Sequence, residues 1–169
     1  MSRSVLSLVA VCLLSLPTWS AEPSATAVCN FDADTQLAVE YQPITVNTSK
    51  SVFGHEIPYN KVWAPGGRPM TMFLNHPIRV NGTQVPAGAY TMFLLPAENK
   101  WTLIISRSTD TSGRYDEHQD LLRVPMQWGA LSSAESTFSV YFAHLAPGEC
   151  TMRLDLEKSR TWVEFQGKK

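Results

Sequence analysis

Three groups of residues in this sequence carry side chains that can do chemistry. The first runs from Ser51 to Pro69, SVFGHEIPYNKVWAPGGRP, where His55, Tyr59, Lys61, Trp63 and Arg68 lie among three prolines and three glycines. Flat aromatic faces suit the apolar faces of sugars, and Arg and Lys supply directional donors. These five residues therefore define a candidate groove for a sugar or an extended peptide. The competing expectation is that Phe53 and Trp63 plug one end of the fold, since aromatics dominate cores as well as sites. The second group, Asp116, Glu117, His118 and Asp120, is the densest polar cluster. Carboxylate oxygens suit hard cations, which makes Asp116, Glu117 and Asp120 candidate ligands for calcium or magnesium. The cluster lacks the glycine turn of a calcium loop and runs straight into an apolar strand, so a solvated loop is the favoured expectation.

The third group is Cys29 and Cys150, the two cysteines left once the first residues are set aside. In an exported chain such a pair most simply forms one disulfide, with two free thiols as the alternative. It would close a loop spanning 121 residues. The chain-entropy account gives such a loop about 4–5 kcal/mol. No Cys-x-x-Cys spacing, nucleophile elbow, phosphate loop, dinucleotide glycine pattern or zinc-protease helix motif is present, so no catalytic residue and no cofactor is assigned. His144 continues the alternation of Phe138, Val140 and Phe142, and His76 that of Met70, Met72 and Leu74. Both are expected as core-edge histidines.

Residues 1–21 read as an export signal: Arg3, an apolar run from Val5 to Leu16, then small residues at Thr18 and Ser20 before Ala21. The run is too short for a transmembrane anchor. A second possible cut follows Ala25-Thr26-Ala27. The expected compartment is the periplasm or the exterior. Of the 169 residues, 44% are hydrophobic and 17% charged, which excludes a disordered or coiled-coil chain. A net charge of −1 argues against nucleic acid as a partner.

The elements that must position these groups are strands. Ile78, Val80 and Val85 flank Asn81-Gly82, a strong two-residue hairpin signal. Ala89–Leu95 is apolar on both faces, as a strand covered on both sides requires. Trp101, Leu103 and Ile105 return beside it. Phe138, Val140 and Phe142 alternate, as do Met152, Leu154 and Leu156, and Val163 and Phe165 point inward. Shorter strands are expected at Leu37–Tyr41, Met70–Leu74 and Leu121–Met126, and a short helix near Ser132–Ser136. About eight short strands joined by Gly/Pro turns predict an all-β fold, an antiparallel sandwich or partly open barrel with one long aromatic-rich loop. The expected layout is a signal at 1–21, a tail at 22–36 and one domain at 37–167.

The stretches VFGHEIPYNKVW, RVNGTQVPAGAYTMFLLPAENKWTLIIS and YDEHQDLLRVPM resemble an exported bacterial family, the domain of unknown function DUF2911. The resemblance covers about residues 37–165 and is most specific at Phe53-Gly54, Pro58-Tyr59-x-Lys61-Val62-Trp63 and Pro86-Ala87-Gly88-x-Tyr90. Ala64-Pro65-Gly66-Gly67-Arg68 stands where the family has an Arg-Thr-Gly-Ala-Asn-like stretch, and Ser112-Gly113 where it often has Trp-Gly. Glu157 replaces a late tryptophan. The resemblance implies a β-rich fold and export, and adds little about chemistry. Two classes of function follow. The leading expectation is a non-catalytic binding or envelope-associated module using the Ser51–Pro69 loop, its partner a small molecule, a glycan or an envelope protein. The alternative is a hydrolase or metal-assisted enzyme whose residues converge only in three dimensions.

Overall fold

The computed structural model describes residues 23–98 and 100–167; the expected signal lies outside the described residues. The larger of two antiparallel sheets holds six strands. Their order is β1 (Ala25–Asn30), β2 (Gln36–Tyr41), β3 (Met70–Leu74), β6 (Gly88–Leu95), β7 (Thr102–Ser106) and β8 (Asp120–Pro125). The smaller sheet runs β5 (Thr83–Val85), β4 (Ile78–Val80), β10 (Glu149–Gln166), β9 (Gln127–Ala143). The sheets pack as a sandwich and do not close into a barrel.

Period-two alternation builds the core. Leu37 and Val39, Met70, Met72 and Leu74, Met92 and Leu94, and Leu103 and Ile105 point inward from the larger sheet. Phe138, Val140, Met152, Leu154, Leu156 and Phe165 meet them from the smaller one. Asn81 and Gly82 form the β4–β5 turn with φ of 48° and 77°, the positive values this turn demands. In the Pro86-Ala87-Gly88-x-Tyr90 turn, the buried Tyr90 hydroxyl donates to the Pro86 carbonyl at 3.0 Å. That turn is a structural corner.

Several expectations need correction. The described residues hold ten strands rather than about eight, and β9 and β10 are long, at 17 and 18 residues. Ser132–Ser136 is not helical. It lies inside β9, where pairing with β10 shifts register on both sides of Glu157 and more residues of β9 than of β10 fill the gap. Glu157 takes a positive φ of 54° there. The phase of β10 flips across this bulge, so that even-numbered residues face the core up to Leu156 and odd-numbered ones from Thr161. Residues 22–36, expected as a tail, contain β1, the edge strand paired with β2. His76 and His144 are exposed, because each falls just past the end of its strand.

Candidate functional site

The Ser51–Pro69 loop does not gather its five candidates into one groove. Val52, Phe53 and Ile57 are buried, and the N–H of Gly54 donates to the Ile57 carbonyl at 2.9 Å, folding the chain tightly on itself. Gly54 has a φ of 83°, and a Cβ there would lie 3.1 Å from the Tyr59 ring, so Tyr59 is packed across it. Trp63 extends the larger sheet beyond β3: its N–H donates to Leu94 O at 2.7 Å and its carbonyl accepts from Leu94 N–H at 3.0 Å. Its half-buried indole meets Phe53, Trp101 and Phe138 edge to face, at centroid distances of 6.5, 6.3 and 5.6 Å. These are core contacts, and they carry the Phe53 and Trp63 signature of the sequence. His55 and Lys61 are exposed on the loop.

Arg68 is also exposed, but it borders a cleft of about 270 Å³, which it lines with Glu40, Tyr41, Gln42, Thr71 and Thr111, closed at one side by Pro23, Ser24 and Pro69. Glu40 and Thr71 are register partners on the outward face of β2 and β3 and form its floor. Just before Arg68 comes the turn at Pro65–Gly67, where Gly66 has a φ of 71° and a Cβ would come 2.3 Å from the Gln42 amide oxygen. The Arg107–Gln119 loop contributes Thr111 to the lining. Gly113, at a φ of 87°, lets this loop touch the Pro65–Gly67 turn, since a Cβ there would fall 2.2 Å from the Gly67 carbonyl oxygen. Both glycines are needed for close approach as well as for φ. Neither the Arg68 guanidinium nor the Glu40 carboxylate has a hydrogen-bond or ion-pair partner among the described residues.

Short polar side chains order the Arg107–Gln119 loop, as local capping predicts. Thr91 donates through its N–H and hydroxyl to Ser108 O at 3.0 and 2.9 Å. Asp110 Oδ1 accepts from Ser112 N–H at 2.8 Å, and Asp116 Oδ1 from His118 N–H at 3.0 Å. Tyr115 then anchors the loop to the sheet. Its ring lies 5.2 Å from that of Phe93, which it covers on the outer face of β6. The Tyr115 hydroxyl and Arg123 Nε both donate to Asp120 Oδ2 at 2.7 Å, and Arg123 also donates to the Tyr115 oxygen. Burial, then the hydrogen bond to Asp120 and its charge, push the Tyr115 phenol up to about 12. Asp120 Oδ1 is buried without a partner among the described residues. Of the candidate cation ligands, Asp116 thus caps a helical turn and Asp120 holds the loop.

A second hollow, about 230 Å³, lies beside the β4–β5 turn and is lined by Asn81, Gln127, Trp162, Glu164 and Gln166 among others. It shares no residue with the Arg68 cleft.

The family profile described as "Protein of unknown function (DUF2911)" matches residues 22–165. The chain belongs to the DUF2911 family. No curated protein matches it, and no solved structure does. Membership fixes the extent of the DUF2911 domain and assigns no activity to any residue. Within the described residues, no helix is long and apolar enough to cross a membrane. Glu40, Tyr41, Gln42, Thr71 and Thr111 carry no signal as a set in the sequence. Strand parity points Glu40 and Thr71 outward, but only the β2–β3 register makes them neighbours.

Proposed function

We propose that this DUF2911 chain is an exported, periplasmic, non-catalytic binding module whose ligand occupies the cleft around Arg68. One observation carries the reading: a guanidinium and a carboxylate, both without protein partners among the described residues, line one cleft, and the loops that supply Arg68 and Thr111 to it meet at Gly67 and Gly113. Arg presents a planar fork of donors suited to a carboxylate or phosphate, and Glu40 and the two threonines accept from hydroxyls or an amine. The volume suits a ligand the size of an amino acid or a sugar acid. The layout of residues 1–21 and the Cys29–Cys150 pair support export.

A calorimetric screen of amino acids and carboxylated sugars, run on the chain and on Arg68→Ala, tests the site. At least one compound should bind the parent chain, with affinity falling about 10- to 100-fold in the variant, the worth of a charge-assisted hydrogen bond. Binding unchanged by the variant contradicts the assignment, and conversion of the compound during the titration contradicts the non-catalytic reading. Fractionation of bacteria expressing the full chain tests export: the expected product is periplasmic and lacks the signal, whereas cytoplasmic full-length protein opposes it.

A further inference from the structure

Cys29 lies on β1 and Cys150 on β10, so their pairing staples the edge of the larger sheet to the smaller one. Both residues are fully buried, with Cα atoms 6.4 Å apart. His144, immediately after β9, stands over the pair: its Nδ1 is 3.6 Å and its Nε2 4.0 Å from Cys150 Sγ. The imidazole is exposed while the sulfurs are not. One sulfur from each cysteine and a ring nitrogen all lie within 4.8 Å of one another. Two thiolates and an imidazole are the donors preferred by thiophilic d10 cations, and in a tetrahedral zinc site such donors stand about 3.5 Å apart.

We propose that the reduced chain binds one zinc-class cation through Cys29 Sγ, Cys150 Sγ and a ring nitrogen of His144, with water completing the tetrahedron on the exposed side. The states interconvert by balanced steps. A thiol-class reductant delivers two electrons and two protons to the disulfide, leaves as its own disulfide, and yields two cysteine thiols. Zn²⁺ then displaces both thiol protons as two Zn–S bonds form, and neutral imidazole donates a lone pair. A disulfide-class oxidant takes the two electrons and, with two protons from solvent, leaves as two thiols, while the S–S bond reforms and the Zn²⁺ ion is expelled. The disulfide and the metal are alternative staples across the same two strands.

The test uses the chain lacking residues 1–21, reduced with a phosphine, freed of reductant without oxygen, and titrated with Zn²⁺ against a chromophoric chelator. One equivalent should bind the reduced chain and none the oxidised chain, and His144→Ala should weaken binding by at least about tenfold. Equal Zn²⁺ uptake by the oxidised and reduced forms, or undiminished affinity in His144→Ala, overturns the proposal. Melting curves cover the case in which reduction loosens the fold. Zn²⁺ should raise the melting temperature of the reduced parent chain and leave reduced His144→Ala near its metal-free value, because binding to the folded site favours the folded state. No rise in the parent chain, or an equal rise in both, also overturns it.

Discussion

Tyr115, Asp120 and Arg123 on the larger sheet, and Tyr141, Asp155 and Arg160 on the smaller one, are two versions of one arrangement. In each, a tyrosine hydroxyl and an arginine donate to one aspartate, and the guanidinium lies over the ring, at 6.0 Å and 5.5 Å from the centroids. The smaller sheet's version is closed. Arg160 makes two bonds to Asp155, at 2.8 and 2.6 Å, and Tyr141 adds a third at 3.1 Å, so both carboxylate oxygens are used. The larger sheet's version is open. Both of its bonds go to Oδ2 of Asp120, and Oδ1 is buried and unpaired among the described residues. The closed network ties Asp155 and Arg160 of β10, brought to the same face by the bulge at Glu157, to Tyr141 of β9. The open network ties a loop to a strand, and that loop contributes Thr111 to the lining of the Arg68 cleft. The same chemistry therefore ties strand to strand in one place and loop to strand in the other.

The largest effect is expected from Asp155→Ala. Asp155 is 5% exposed, and its loss leaves Arg160 and the Tyr141 hydroxyl without their acceptor. Removing one partner of a buried pair costs about 3–5 kcal/mol. Because the Arg160 side chain is 34% exposed, the lower end of about 3 kcal/mol is expected in urea unfolding. Ligand affinity of the folded fraction should not change; a loss there would mean that this network also shapes the site.

Asp120→Ala should cost less stability, about 1–2 kcal/mol, because the Arg123 side chain is 43% exposed and water replaces part of the bond. It should nevertheless weaken ligand binding at Arg68 several-fold, by releasing Tyr115 and the loop behind Gly113. Unchanged affinity in this variant would separate the loop anchor from the cleft.

A smaller effect belongs to pH. The Tyr115 phenol titrates at about 12 in the folded chain and near its ordinary value of 10.0 when unfolded, so the folded state holds the proton longer. That contribution is fully present below pH 10 and is lost as pH rises through about 12. Burial, followed by the Asp155 charge, also raises Tyr141. The urea midpoint should fall across this window, and Tyr115→Phe should flatten the fall; an identical slope in Tyr115→Phe would place the titration elsewhere.

Local patterning made much of this fold legible. β3 matches the alternating run Met70–Leu74, and the Asn81-Gly82 turn falls between β4 and β5 as its chemistry requires. The apolar two-faced run at Ala89–Leu95 became β6, with Phe93 covered on the outside by Tyr115. Ser132–Ser136 was not legible, because only Glu135 within it pairs with β10 and its extended state follows from the surrounding β9 strand and not from its own residues. The cleft was legible at one residue only. Arg68, Glu40, Thr71 and Thr111 come from separate segments, and sheet register and the Gly67–Gly113 contact bring them together. Aromatic spacing marked the Ser51–Pro69 loop for a packing reason, since the Trp63 indole packs against Phe53, Trp101 and Phe138.

The central claim is that ligand is held at Arg68, and amide chemical-shift mapping on the isotope-labelled chain tests it most directly. Titration with a compound found by the calorimetric screen should shift amides at Glu40–Gln42, Arg68, Thr71 and Thr111, and Arg68→Ala should abolish those shifts. Shifts centred instead on the Trp162 hollow or on His55–Trp63, and surviving in Arg68→Ala, would contradict the account.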